Sequence, residues 1–511
     1  VLTSSQAVAA WPARSDARPL YWWSRPSRLV AFVLVPIYVY SGYMDEAFYA
    51  LCAHPGKYLV GETLTGLMLY PTWFGGVAER VFYWGDSRFF PVLLLGPIVV
   101  YYLGASERIA RRRIFHTAVV FAVVGGCFMD GIRPASAAEA APAELCAPLD
   151  PGPSSQIVDV RSFGAAGDGI SDDGPAIQAA ITSLTKPGVV LLPKGIYVHS
   201  DVIRVNRDGI VLAGRQAVVL ATNLDRAAII VEGSDAVVRD LVIRSVQPQR
   251  RGERTEHAGL LLTGQRVAAI NNAVEGFIGA GIFVSGARDF VVACNRASNT
   301  KADGIHITGG ATRGKVLHNS IFNSEDDGIG VVAYDIRKQA SDILVESNQV
   351  EHIPWGRGIS VVGATRVTIR RNVVASVAAA AGILVARESA WHTPGASSVL
   401  IEDNEVSDIQ RSLAPLQNRR RTGHGAIEIN SDSGELNLSV RDVTIVGNNI
   451  KGSAHDGIRL LGNVCNVSIE SNTIADVSGP GIAVRSTCSK TLLGCRDNLS
   501  VGRPAGCDGS H

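Results

Sequence analysis

The sequence lacks a surplus of charge of either sign: 48 Lys and Arg stand against 47 Asp and Glu, a formal net charge of +1. A chain so balanced carries no overall field for a polyanion, so nucleic acid is not indicated as a partner. It also lacks any Cys-x-x-Cys pair among its 8 cysteines, which excludes a zinc ribbon. No apolar run reaches the roughly 20 residues of a comfortable membrane-spanning helix. Three shorter runs stand at residues 29–43, 59–74 and 89–103, with Trp22, Trp23, Tyr70, Trp73, Trp84, Tyr101 and Tyr102 in or near them as interfacial anchors. Residues 1–110 are therefore expected to hold membrane segments, the alternative being a fusion from a neighbouring reading frame.

Arg111-Arg112-Arg113, the apolar stretch 118–126 and Ala135-Ser136-Ala137 read as an export signal, or an anchor if uncleaved, over residues 111–137. The chain beyond residue 137 is expected in the periplasm or outside the cell, with membrane contact through residues 1–137. Residues 138–156, rich in Ala and Pro, read as a linker. Cys465, Cys488, Cys495 and Cys507 crowd the C-terminal end, where residues 491–511 form a tail. In an oxidising compartment they are expected to form one or two disulfides that close the open end of the fold. Nothing in the sequence specifies an oligomeric state.

From residue 258 a phrase recurs: a small or polar residue, Gly, then apolar-x-apolar. Its glycines are Gly259, Gly281, Gly304, Gly328, Gly358, Gly382, Gly425, Gly457 and Gly481, spaced 22, 23, 24, 30, 24, 43, 32 and 24 residues apart. A period in the low twenties is one coil of a parallel β-helix, and the longer steps read as loops inserted into a coil. Alternation sends Ile305, Ile307, Ile329, Val331, Ile359 and Val361 inward and His306, Gly330 and Ser360 outward. Asn372, Asn404, Asn448 and Asn472 each follow a second short strand by three residues. They are expected at corners with left-handed backbone, each bonding to its neighbour in the next coil. The fold class is thus all-β, a right-handed parallel β-helix over residues 157–490.

Ahead of it, Asp172-Asp173-Gly174-Pro175 precedes Ile177, Ile181 and Leu184, which share one face. This predicts a capped helix beginning near Pro175 that plugs the first coil. Asp168, Asp172 and Asp173 read as turn and cap residues rather than metal ligands.

The stretch 159–181, with Val189-Val190-Leu191-Leu192-Pro193-Lys194-Gly195-Ile196-Tyr197 after it, resembles the start of the pectate-lyase-like β-helix superfamily. That group includes polygalacturonase-type glycoside hydrolases, rhamnogalacturonases, polysaccharide lyases, epimerases and tail-spike depolymerases. The resemblance implies a β-helix acting on a polysaccharide and leaves the reaction open.

Residues preceding the repeated glycines form one column, with successive members about 5 Å apart. Down it run Ala258, Ala280, Asp303, Asp327, Arg357 and Ala381, with Asp326 beside Asp327. Crowded carboxylates raise one another's pKa, so that one keeps its proton while another works as a base. Asp before Gly is also simply a good turn residue. Asn299-Thr300-Lys301-Ala302-Asp303-Gly304 and Glu325-Asp326-Asp327-Gly328 resemble the polygalacturonase Asn-Thr-Asp-Gly and Asp-Asp motifs, the first with two residues inserted. The resemblance implies that Asp303, Asp326 and Asp327 are catalytic, one protonating the glycosidic oxygen and the others activating water. That family's Gly-His-Gly is Gly356-Arg357-Gly358 here, and Ile383-Leu384-Val385 stands where its Arg-Ile-Lys should. Galacturonan in particular is therefore not implied.

Arg357, His306, Lys301, Trp355 and His424 are candidate substrate-binding residues, with His352, Trp391 and His392 also in or beside loops. The hydrolase needs no cofactor. An alternative is a lyase or C5-epimerase, with Arg357 as the base and Asp303, Asp326 and Asp327 holding calcium. A third reading is a glycan-binding solenoid without catalysis.

Overall fold

The computed structural model describes residues 145–149, 156–500 with short interruptions, and 503–504. The hydrophobic segments and export signal expected before residue 138 lie outside the described residues. Among those described, no helix is long and apolar enough to cross a membrane.

The described chain is a parallel β-helix. One face is an 11-stranded sheet from Ile203–Val205 to Ile482–Ser486, taken strictly in chain order. The remaining strands pair in register into a larger sheet of 25 strands that turns the corners of the coil. Pairing is parallel throughout, save for the terminal Leu499–Ser500 with Arg503–Pro504. In the smaller sheet Ile282, Ile305, Ile329, Ile359, Ile383, Ile427, Ile458 and Ile482 are successive register partners. The repeated phrase thus supplies one strand per coil, and its Ile residues join a single continuous apolar core.

The corners are built differently from the sequence expectation. Asn272, Asn295, Asn319, Asn348, Asn372, Asn404, Asn448, Asn472 and Asn498 form a buried ladder. Each Oδ1 accepts from both the backbone N and the side-chain Nδ2 of the Asn before it, as in Asn348 to Asn372, both at 2.9 Å. The stacking matches expectation, but the left-handed residue is the one before each Asn: Ser347, Arg371, Asp403, Gly447 and Ser471 have φ of 54°, 54°, 51°, 67° and 55°. The sharp bend needs positive φ at one position and a side-chain acceptor at the next. A single Asn does not serve both.

The helix Gly174–Ser183 buries Ile177, Ala180 and Ile181. Asp172 accepts from Gly174 N (3.0 Å), whereas Asp173 turns away and accepts from Ala166 N (2.6 Å) and Gly167 N (3.1 Å). Part of the expected linker is fixed: Cys146 bonds to Cys294, Arg239 donates to Ala147 O, and Leu149 N donates to Asp240 Oδ2. The first of these bonds is a correction, since disulfides were expected only at the C-terminal end. There Cys465 pairs with Cys488, and Cys495 is disulfide-bonded as well.

Candidate active site

The outward row of the smaller sheet reads Leu261, Phe283, His306, Gly330, Ser360, Leu384, Glu428, Arg459, each in register with the next. Apolar at its start and charged at its end, the row changes character where the acid column runs beside it. His306 and Ser360 do point away from the core, yet both are buried.

Asp303 and Asp327 occupy adjacent coils and are tied by the ladder itself. Asp303 Oδ1 accepts from Asp327 N (3.2 Å), and Asp327 Oδ1 from Arg357 N (2.8 Å). Each carboxylate thus serves the turn of the next coil with one oxygen and turns the other to a side chain of the outward row. Asp303 Oδ2 meets His306 Nδ1 at 2.5 Å. Asp327 Oδ2 accepts from Ser360 Oγ at 2.5 Å, while Arg357 Nε lies 3.2 Å from its Oδ1. Asp326 is held by Arg251 at 2.5 Å. Arg357 also reaches Glu388 at 3.1 Å, and Lys301 pairs with Glu325.

Burial pushes Asp327 up to about 7; Arg357 opposes this, and Asp326 and Asp303 add to it. Asp326 is raised by burial and by Asp303, against the pull of Arg251. Asp327 is thus the acid of the cluster that can carry a proton near neutrality. Burial pulls His306 down, but Asp303 outweighs it and the imidazole is held above its ordinary value. Arg357 is raised in the same way by Asp327 and Glu388 despite burial.

Gly330 lies at the centre. A Cβ there would stand 2.9 Å from Asp303 Oδ2 and 3.5 Å from both His306 Nδ1 and Ser360 Oγ. On the coil of Asp327, this glycine lets the carboxylate of Asp303, His306 and Ser360 approach one another more closely than any side chain there would allow.

Of the residues named from sequence, Asp303, Asp326, Asp327, His306 and Arg357 come together, with Lys301 at their margin. Trp355 is covered by Arg419, whose guanidinium sits 3.5 Å from the ring centroid, with Arg251 at 5.1 Å. His424 lies two strands beyond Arg357; burial, with Arg357 and Arg459 nearby, lowers it to about 4, and its Nδ1 has no hydrogen-bond partner. His352 stacks on Phe322 in the larger sheet, and His392 ends an exposed turn. Sequence reasoning missed Arg251, Tyr334 and Glu388. All three sit in loops between strands; the lengthened spacing of the repeat marked the loops of Tyr334 and Glu388, whereas Arg251 precedes the first repeated glycine and had no such signal.

The calcium alternative is not supported by the donor set. The three acids face His306, Arg251 and the Ser360–Arg357 pair instead of one another, and among the described residues no three His, Cys, Asp or Glu converge on one point. Arg357 as a base is also disfavoured, because its acid partners make it hold its proton more tightly.

Stacked parallel coils with an acid cluster on one outer sheet define a β-helix of the solenoid type. Residues 157–406 match the family described as rhamnogalacturonase A/epimerase, pectate lyase-like, and residues 339–499 the right-handed β-helix region. The chain belongs to the pectate-lyase-like right-handed β-helix superfamily. Similar solved structures include the Agl-KA catalytic domain (TM-score 0.56, 18% identity, 69% of this chain and 66% of that one). Another is the catalytic domain of a GH87 α-1,3-glucanase in complex with nigerose (0.54, 17%, 70% and 68%). A third is the A-module of mannuronan C-5 epimerase AlgE6 of Azotobacter vinelandii (0.48, 18%, 67% and 99%). At these identities the first two speak for the fold alone. A 69-residue stretch is 30% identical to the non-secreted LysM effector LysM19 of Penicillium expansum and spans 13% of this chain and 6% of that protein.

Proposed function

We propose that the protein hydrolyses glycosidic bonds of a polysaccharide in the groove over Asp303, Asp326 and Asp327. The observation that carries this reading is the pair of unlike carboxyl environments on adjacent coils. Asp303 bonds to His306 Nδ1 at 2.5 Å, while Asp327, buried against Ser360 and Arg357, is pushed up to about 7 and so can supply a proton near neutrality. A hydrolase needs this division of labour. Water over Gly330, within hydrogen-bond reach of Asp303, gives its proton to that carboxylate as its oxygen attacks the anomeric carbon. The glycosidic C–O bond breaks, and the leaving oxygen takes the proton from Asp327. Arg357 and Ser360 position Asp327, and Lys301, Trp355 and His424 lie along the path of a longer chain.

The matching family is described by a rhamnogalacturonase, an epimerase and a lyase-like fold together, so elimination or C5 epimerisation is the competing reaction. The full chain, incubated with alginate, polygalacturonate and neutral bacterial glucans, separates them. New reducing ends without absorbance of an unsaturated product support hydrolysis; both signals together support a lyase. Activity that survives EDTA also favours the hydrolase, and its loss would favour a calcium-assisted lyase. A polymer bound without either product would leave a C5-epimerase or a binding solenoid. The disulfides Cys146–Cys294 and Cys465–Cys488 support delivery to an oxidising compartment, periplasmic or extracellular, as does the signal read at residues 111–137.

A further inference from the structure

Tryptophan is scarce in the β-helix. Of 7 in the chain, five precede residue 85, and only Trp355 and Trp391 follow. Both stand beside the acid cluster, at opposite ends of the strands that form its floor. Trp355, before the strand Ile359–Val362, already has Arg419 and Arg251 on its ring. Trp391, in the 3-10 turn Ser389–Trp391 after the strand Ile383–Arg387, is 63% exposed. Its partner Tyr334, in the loop after Ile329–Val332, is 49% exposed.

The two rings meet edge to face, centroids 6.2 Å apart, and Tyr334 also stacks on His306 at 6.3 Å. Since His306 bonds to Asp303, the exposed aromatic corner is one contact from the acids. The turn carrying Trp391 is held in place. Glu388 N donates to Thr393 Oγ1 (2.8 Å), and Asp432 accepts from Ser389 N and Arg387 Nη1, both at 2.8 Å. A large apolar surface held this rigidly in water loses little freedom on binding. Two rings at a steep angle offer a face and a wall, which suits the C–H-rich face of a six-membered sugar ring with its polar or charged substituents directed outward to water.

We infer that Tyr334 and Trp391 form a pyranose-binding platform, a subsite that holds one sugar ring of the polysaccharide beside Asp303. This rests on the proposed polysaccharide activity, but its test does not depend on catalysis. Full-length protein is run in native gels containing alginate, polygalacturonate or carboxymethylated α-1,3-glucan, and Kd is taken from the retardation. Trp391→Ala and Tyr334→Ala are each expected to weaken binding to the retained polymer at least about tenfold, with unchanged melting temperature, and Trp391→Phe to stay within about threefold. Unchanged Kd in both alanine variants, or no retardation of the wild type by any of the three polymers, overturns the platform. Asp327→Asn, assayed in parallel, keeps the two readings apart. If it loses turnover while the alanine variants bind normally, the platform falls and the hydrolase stands. If it keeps turnover while they lose binding, the platform stands and the catalytic assignment falls.

Discussion

Asp303 and Asp327 each work twice, once as a structural acceptor for the next coil and once toward a side chain on the outer face of the sheet, His306 or Ser360. Asp327 shows the consequence for pH. Its folded pKa, pushed up to about 7, lies above the ordinary carboxylate value of 3.8, so between these limits the folded state binds more protons than the unfolded one. Its contribution to stability is therefore fully present below about 4 and lost as pH rises through about 7. Asp327→Asn should accordingly gain melting temperature relative to wild type between pH 4 and pH 8, and a difference that stays flat or narrows across that range contradicts the raised pKa. Turnover should fall at least about a hundredfold in Asp303→Asn and in Asp327→Asn, as loss of a general acid or base commonly does, with the fold retained in circular dichroism. Gly330→Ala places a methyl group 2.9 Å from Asp303 Oδ2 without a forbidden backbone angle. It should lower turnover by about tenfold or more with little change in melting temperature, because the added group competes for the space of the attacking water. Wild-type turnover in this variant would remove the water from that place.

At the scale of elements, the Asn ladder and the inserted loops divide the work. The ladder fixes the corner of every coil from Asn272 to Asn498 with buried, mutually saturated amides. Asn372→Ala would strand Asn348 N, take one of its acceptors from Asn348 Nδ2, and remove the side-chain donor to the carbonyls of Val345 and Arg370. A loss of about 2–3 kcal/mol is expected from buried groups left unpaired, read as a shift of the urea midpoint at constant m-value. A shift below about 0.5 kcal/mol would mean that water replaces the amide. The loops carry what is particular to this protein: Arg251, Tyr334, Glu388, Trp391 and Arg419 all lie outside the repeated strands. Insertions leave the ladder undisturbed because they leave and rejoin the coil at its corners, where backbone bonds are already completed by the next coil.

Over the whole molecule, the core is one continuous column of Ile, Val and Leu, so damage in one coil exposes its neighbours. Ile329 is fully buried between Ile305 and Ile359. Ile329→Asp should unfold or aggregate the protein, since an unpaired buried carboxylate costs several kcal/mol; a soluble variant with unchanged melting temperature would refute the register. Among the described residues, one crosslink joins residue 146 to the coil of Cys294 and another joins the last coils at Cys465 and Cys488. Mass spectrometry after alkylation without reductant should recover both linked peptides, and full alkylation of Cys146 or Cys465 would exclude them.

The sequence by itself determined the coil. The spacing of Gly304, Gly328 and Gly358 set the stacking, the Ile pairs set the inward face, and the acids of the column were visible because a solenoid turns sequence period into neighbourhood. Only the tertiary structure decided what each acid touches. His306 was legible as outward but not as the partner of Asp303. Arg251 lies 75 residues before Asp326, and Tyr334, Glu388 and Trp391 stand in insertions with no period. The pairing of Cys146 with Cys294 spans 148 residues. A repeat encodes contacts between equivalent positions, since these recur at fixed distance along the chain. Contacts made by loops and flanking segments depend on where an irregular path returns to the surface, and that is fixed by packing and the pairing of buried charge, to which no sequence interval corresponds.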